Sequence, residues 1–461
     1  MDFPIYHLDF LNNRMLIAVV AILHVIINHA MAVGGIPIVV YLERKAFLNK
    51  DARWDHLAKK VMFIFFIITT TIGAMSGVGI WVTASLVNPA AIGSLLRVFF
   101  WAWAIEWVVF ITEVCLILWY FLSWKEIGHA QKKSHVRLGI FLAAASWITM
   151  AIIVSILGFM MDTGAWTGDG SLLSALFNPV YLPQLAFRTP LAMVFAGAMA
   201  LAFIPFFSNN SLPEKHDILR LLGKWTLAWS APLALGALWY RNAIPAYSVG
   251  NMQVAITTQA FADWYQQLLI ISGIVCVSII LIALACIFIP KRVGAVALVA
   301  PAVGVAAMLG LFERVREFIR KPYAIQGYLY SNGYRAEDYP LMKRDGILRH
   351  STFAAVREVT SENTLVAGEE VFRLACSRCH TVTGINSIRK NIGAMYGFSA
   401  NWDPEIISSY IETMHNGRAY MPPFPGNAKE RKALAEYLVQ LQSHVQPLKG
   451  VQDTGIQGAV R

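Results

Sequence analysis

The sequence predicts an all-α protein in two parts: a polytopic transmembrane bundle of about eight helices, then a small helical domain. Three observations predict it. The 461 residues are 57% apolar and only 14% charged, with a positive mean hydropathy, a balance that belongs to polytopic membrane proteins rather than to large globular ones. Eight stretches reach the roughly 20 apolar residues needed to cross a hydrocarbon core. Beyond them the chain turns polar and amphipathic and carries "FRLACSRCHTVTG" at 372–384.

The spans fall near 15–41, 61–86, 98–123, 137–161, 182–207, 219–240, 265–290 and 294–319. Several contain Gly and Pro, which membrane helices tolerate. The first has no small-residue cleavage site after it and reads as a retained signal anchor. Basic residues fix the orientation. Arg44, Lys45, Lys50, Arg53, Lys59 and Lys60 follow the first span; Lys125, Lys132, Lys133 and Arg137 the third; Lys215, Arg220 and Lys224 the fifth; Lys291 and Arg292 the seventh. The other side has only Arg14, Arg97, Arg188 and Arg241. This bias places the odd loops in the cytoplasm and the N-terminus outside. The net charge of +10 is then a matter of topology, and no nucleic-acid partner is expected. Five cysteines are too few for a disulfide framework; Cys115, Cys276 and Cys286 lie inside apolar spans as packing residues.

Four segments follow: a transmembrane domain at 1–320, a polar, Tyr-rich connector at 321–361 on the outer surface, a helical domain at 362–447, and a tail at 448–461. In the third, "LVAGEEVFRLA" is a helix leading into Cys376, Cys379 and His380. "NWDPEIISSYIETMHNG" has Pro404 at its first helical position and Gly417 as its stop, and "NAKERKALAEYLVQLQ" closes the domain. Two cysteines spaced CxxC with histidine next are what covalent c-type haem attachment needs. Cys376 and Cys379 would form the thioethers, and His380 would be the proximal iron ligand. Haem c is attached on the outer face, which agrees with the charge bias. In "YMPPF", Met421 offers a soft thioether on a Pro-stiffened loop as the second ligand, with Met395 and Met414 as competitors. Helix, CxxCH, MPPF and closing helix together resemble the class I cytochromes c.

Ionisable side chains at membrane depth are costly and need a reason. His24 and His29 lie in the first span. Glu106 and Glu113 lie in the third, seven apart and so on one helix face. Glu313 and Glu317 stack in the last, as do Arg316 and Arg320. They are haem ligands or proton carriers on one reading, and mutually satisfied interhelical pairs on the other.

Over residues 5–330 the chain resembles subunit I of the cytochrome bd quinol oxidases. His24 stands where that family has a haem-ligating histidine. "AIE" at 104–106 with Glu113 matches its paired glutamates, at a spacing one residue shorter than usual. "FNPVYLPQLAFRT" at 177–189 resembles the lead into its fifth span, and "EFIRKPYAI" at 317–325 its E-x-G-R-Q-P-W signature, with Tyr323 in place of Trp. The resemblance implies that Glu317 ligates a b-type haem, that Arg320 pairs with haem propionates, that His24 and Glu106 flank the oxygen-reducing haem, and that Glu113 serves proton delivery. One or two non-covalent haems, b or d, would join the haem c.

The departures set the expected function. Arg188 stands where the family places a low-spin haem histidine, and is expected either to snorkel outward or to contact a propionate. Gln266, Gln267 and Leu268 occupy the region of that haem's methionine. The quinol loop shrinks to about 240–264, and the haem c domain replaces the ninth span. These changes point to a bd-like terminal oxidase subunit in a bacterial inner membrane, fed by a periplasmic c-type cytochrome or similar donor through its own haem c and reducing oxygen to water. A second membrane subunit or a homodimer would cover the haem pocket. The alternative is a non-catalytic haem-bearing anchor of a larger respiratory complex; a further one keeps haem c alone on a degenerate membrane scaffold.

Overall fold

The structure, a computed structural model, describes residues 4–11, 13–124, 131–207, 212–256 and 265–443. Lys125, the stretch 257–264 of the shortened loop, residues 444–447 and the tail at 448–461 lie outside the described residues. Helices dominate. Seven are long and apolar enough to cross a membrane among the described residues. These are α1 (Asn13–Asn49), α2 (Ala52–Val87), α4 (Phe100–Ser123), α5 (Lys132–Met161), α6 (Tyr181–Phe207), α8 (Tyr265–Phe288) and α9 (Ala295–Ile319). A shorter apolar helix, α3 (Pro89–Val98), precedes α4. The eighth expected span, 219–240, lies within α7 (Leu212–Ala243), 32 residues long. Its length suffices for a crossing, but Lys224, Ser230 and the Trp and Tyr residues dilute its apolar character below that of the seven.

Local chemistry sets the helix ends. Asp51 accepts the Arg53 N–H at 3.0 Å, and Asn88 accepts the Ala91 N–H at 3.2 Å with Pro89 in the first turn, both N-cap arrangements. Two spans are not regular: α1 widens into a π-turn at Asn28–Val33 and α2 at Thr69–Gly73. Such π-turns concentrate at functional sites.

Small residues let the helices approach. A Cβ on Gly34 would lie 2.2 Å from the Ala192 carbonyl oxygen, and one on Gly236 2.3 Å from that of Ala186. Only glycine permits the α1–α6 and α6–α7 crossings at that distance, as is usual for helices packing in lipid. The largest core cluster joins Ile36–Leu42 of α1, Leu57–Met62 of α2, Tyr120 of α4, Leu142 of α5 and Leu201 of α6. Trp101, Trp107, Trp119 and Phe141 face outward, as lipid-contacting side chains do.

The chain divides into two compact units, one built on Asn13–Tyr339 with Arg418–Pro422, the other on Pro340–Gly417 with residues 8–11 and the chain from Pro423. In the first, the chain after α9 forms a hairpin of β1 (Tyr323–Ile325) and β2 (Leu329–Tyr330). The second holds α10 (from Pro340 of Tyr339–Asp345), α11 (Ile347–His350), α12 (Thr364–Ala375), α13 (Ile388–Tyr396), α14 (Pro404–Gly417) and α15 (Ala428–Ser443). Of these, α10, α11 and α13 are absent from the sequence reading, the first two lying in the stretch read as a connector. Gly368 on α12 admits the Ala433 backbone of α15, and Phe372 packs on Tyr437 with ring centroids 6.0 Å apart.

Candidate haem sites

The end of α12 makes the first site. The amide of Cys376 donates to Phe372 at 2.9 Å, and those of Cys379 and His380 donate to Cys376 at 3.1 and 3.0 Å. One helical turn thus carries both thiols and the imidazole. The chain then loops back so that the Asn386 carbonyl oxygen lies 3.3 Å from His380 Nδ1. Asn386 adopts φ of 59°, a left-handed conformation that asparagine tolerates, and its side-chain amide donates to the Cys379 carbonyl at 2.7 Å. A carbonyl on Nδ1 fixes the tautomer and presents Nε2, the arrangement of a metal-ligating histidine. These residues fit a covalent haem c. Met421 sits on the loop between α14 and α15, its amide donating to Arg418 at 2.8 Å.

Inside the bundle, His24 projects from α1 onto α2. Its Nδ1 lies 3.2 Å from both the Gly73 carbonyl and the Ser76 hydroxyl, and a Cβ on Gly77 would come within 3.1 Å of its ring. Nδ1 is thus engaged by α2, and Nε2 is the nitrogen left to face away from it. His29, in the π-turn, is 2% exposed and lies within electrostatic reach of Arg188 and Glu313. On α4, Glu113 accepts from Ser146 at 2.5 Å and from Thr149 at 3.4 Å, both on α5. Glu106, two turns away, makes no hydrogen bond among the described residues. Trp103, one turn before it, packs edge-on against Trp81 of α2 at 4.4 Å.

On α9, Glu317 is ion-paired with Arg320, whose Nη1 also donates to the Ala324 carbonyl at 2.5 Å. The residues expected to hold iron and propionate therefore engage each other along one helix. No hydrogen bond or ion pair among the described residues joins His24, Glu106 and Glu317. Arg188 departs from the outward snorkelling expected of it. It is 2% exposed, donates to Glu313 at 2.6 Å and lies over the Phe312 ring, because a carboxylate on the neighbouring helix supplies the compensation that solvent would otherwise give. Glu313, also bound by Arg316 at 2.9 Å, is of the mutually satisfied kind.

In the bundle, the buried guanidinium nitrogens Arg14 Nε, Arg188 Nε, Arg316 Nη1 and Arg320 Nε have no hydrogen-bond partner among the described residues. Buried donors are nearly always satisfied, so unsatisfied guanidinium N–H groups, that of Arg188 within electrostatic reach of the His29 imidazole, fit a group that brings both a metal and carboxylates. A non-covalent haem is such a group.

A second polar cluster escaped the sequence reading. Glu43 of α1 is fully buried and accepts from the Tyr120 hydroxyl at 2.7 Å, from Lys132 at 2.9 Å and from His135. Lys132 also reaches Asp55 at 2.5 Å, and His135 Nε2 lies 2.9 Å from the Tyr120 carbonyl. A signal existed. Glu43 shares a helix face with Val39, Leu42 and Ala46, all buried, whereas an acid in a solvated loop would not keep that phase.

Fold and site together define a multi-pass membrane protein carrying a cytochrome c domain. Residues 363–438 match the family described as "Cytochrome C oxidase, cbb3-type, subunit III". The helical part is similar in fold to the bd oxidase from Geobacillus thermodenitrificans, with a TM-score of 0.59 and 14% identity over 70% of this chain and 90% of that one. No curated protein sequence matches. The chain is thus a haem protein of electron-transfer type, with a cytochrome c domain and a bd-oxidase-like bundle.

Proposed function

We propose that this chain is a bd-like terminal oxidase subunit that receives electrons through its fused haem c rather than from quinol, and reduces oxygen to water. The observation that carries the reading is the union, in one chain, of a bd-oxidase-like bundle with a domain whose CxxCH histidine is oriented for iron. The bundle's haem, b or d in type, would supply the oxygen chemistry. The residues proposed to hold it are His24 through Nε2, with His29, Glu106 and Glu317 as further candidates and Arg320 toward its propionates. Ser76 and Gly73 hold the His24 ring in place. Glu113, anchored by Ser146 and Thr149, stands two helical turns from Glu106, and the two carboxylates on one face of α4 would carry protons toward the site. Met421, on the loop between α14 and α15, is the proposed second ligand of haem c. The domain would face the periplasm of a bacterial inner membrane and accept electrons from a c-type cytochrome. A second membrane subunit or a homodimer would complete the pocket.

One observation favours the runner-up, a non-catalytic electron-transfer anchor: the Glu317 carboxylate is already paired with Arg320, which weakens its claim on iron. Carbon monoxide separates the two. An oxidase binds it at the reduced non-covalent haem with a shifted Soret band; a conduit with six-coordinate haems leaves the spectrum unchanged.

A further inference from the structure

The most unusual electrostatics in the bundle lie around Glu313. Its two carboxylate oxygens are divided between two arginines, Arg188 of α6 at 2.6 Å and Arg316 of α9 at 2.9 Å. All three side chains are withdrawn from solvent, at 2%, 7% and 11% exposure for Arg188, Glu313 and Arg316. Two guanidinium charges against one carboxylate leave a surplus positive charge, and a buried charge without compensation is strongly unfavourable.

The unused hydrogen-bonding groups gather at the same place. Among the described residues Arg188 Nε and Arg316 Nη1 have no partner, and neither does the hydroxyl of Tyr240, a residue 4% exposed on α7. Tyr240 and His29 both lie within electrostatic reach of Arg188 and Glu313. Gln184, one turn before Arg188 on the same face of α6, is 1% exposed, and neither side-chain amide atom has a partner among the described residues. Phe187, Tyr240 and Phe312 wall the cluster with stacked and tilted rings 5.2 to 6.3 Å apart. Surplus charge, orphaned donors and apolar walls are the three attributes of an anion site closed to water.

We propose that Arg188 and Arg316, flanked by Tyr240 and His29, form a buried binding site for a carboxylate or a similarly small anion. Arg188, Glu313 and Arg316 work as a unit. The glutamate holds the two guanidinium groups side by side, and their outer N–H edges, with the tyrosine hydroxyl, receive the anion. Two sources supply that chemistry: a propionate of a non-covalent haem, which rests on the function proposed above, and a free anion such as formate or chloride, which does not.

The test uses the full chain purified in detergent, with Arg188→Met and Arg316→Met. Each variant removes the surplus charge yet leaves Glu313 paired with the other arginine, so neither strands a buried carboxylate. The first arm follows transfer of non-covalent haem to apomyoglobin by the Soret change. A propionate source predicts at least tenfold faster loss from both variants, with haem c unchanged. The second arm titrates formate, and chloride by 35Cl linewidth. A free-anion source predicts saturable binding to the parent that both variants lose, and this arm reads out even in a protein that holds no non-covalent haem. If haem transfer is the same in all three proteins and neither anion binds the parent saturably, the proposal is overturned.

Discussion

Replacing Glu43 with alanine probes the packing logic of the bundle directly. The carboxylate is fully buried and receives the Tyr120 hydroxyl, the Lys132 ammonium and the His135 imidazole. Removing one partner of a buried charged pair costs about 3–5 kcal/mol, and a stranded hydroxyl costs about 1–3 kcal/mol. Lys132 keeps Asp55 at 2.5 Å, which lowers the first figure, so the total should be about 4 kcal/mol. For a large domain each kcal/mol moves the midpoint by about 2–4 °C, which puts the loss on the order of 10 °C. Glu43→Gln keeps an acceptor for Tyr120 and should cost less than half as much. Tryptophan fluorescence during thermal unfolding is the assay, since Trp124 packs on both Tyr120 and His135. The double variant with Tyr120→Phe should fall short of the sum of the singles, because both remove the same hydrogen bond. A midpoint for Glu43→Ala within about 2 °C of the parent, by the same conversion, would refute the reasoning, as would simple additivity with Tyr120→Phe.

Three other outcomes are expected. His24→Ala should remove a non-covalent haem while leaving haem c intact, and Ser76→Ala should weaken its retention by about 10-fold, as loss of an outer partner of a metal-bound histidine does; pyridine haemochrome analysis measures both. Met421→His should lower the haem c midpoint potential in a redox titration, since imidazole stabilises the oxidised iron more than thioether. Glu430 accepts from the amides of Ile347, Leu348 and Asn427 at 2.9, 2.8 and 3.2 Å, and burial nonetheless pushes its carboxyl above the usual range. A raised folded-state value means stability that is present below the unfolded value and lost as pH rises through the folded one. The second unit should therefore lose some stability from about pH 4 upward, and Glu430→Gln should flatten that slope in chemical unfolding at several pH values.

Much of this was legible in the sequence, and the exceptions have physical causes. Apolar length identifies a span with little else, and the haem c motif needs only five consecutive residues to be read. Helix α7 was expected as the span 219–240, and its hydropathy is weaker than that of the other spans; it packs closely along α6 through Gly197 and Gly236. The π-turns at Asn28 and Thr69 leave no signature in apolar periodicity. Arg188 was read from its place in the resemblance, as snorkelling outward or contacting a propionate; its partner Glu313 lies 125 positions away, beyond the reach of any local pattern. Lys132 was counted with the loops and Glu43 falls just past the first expected span, although the phase of Val39, Leu42 and Ala46 was there to place Glu43 inward.

The central claim is that the bundle, apart from the cytochrome c domain, holds a haem open to a gas ligand. Haem extraction from the purified chain, with reduced-minus-oxidised spectra before and after carbon monoxide, tests it most directly. The account predicts one covalent haem and at least one extractable haem per chain, the latter shifting its Soret band under carbon monoxide. A protein that yields covalent haem alone, with a spectrum indifferent to the gas, would contradict it.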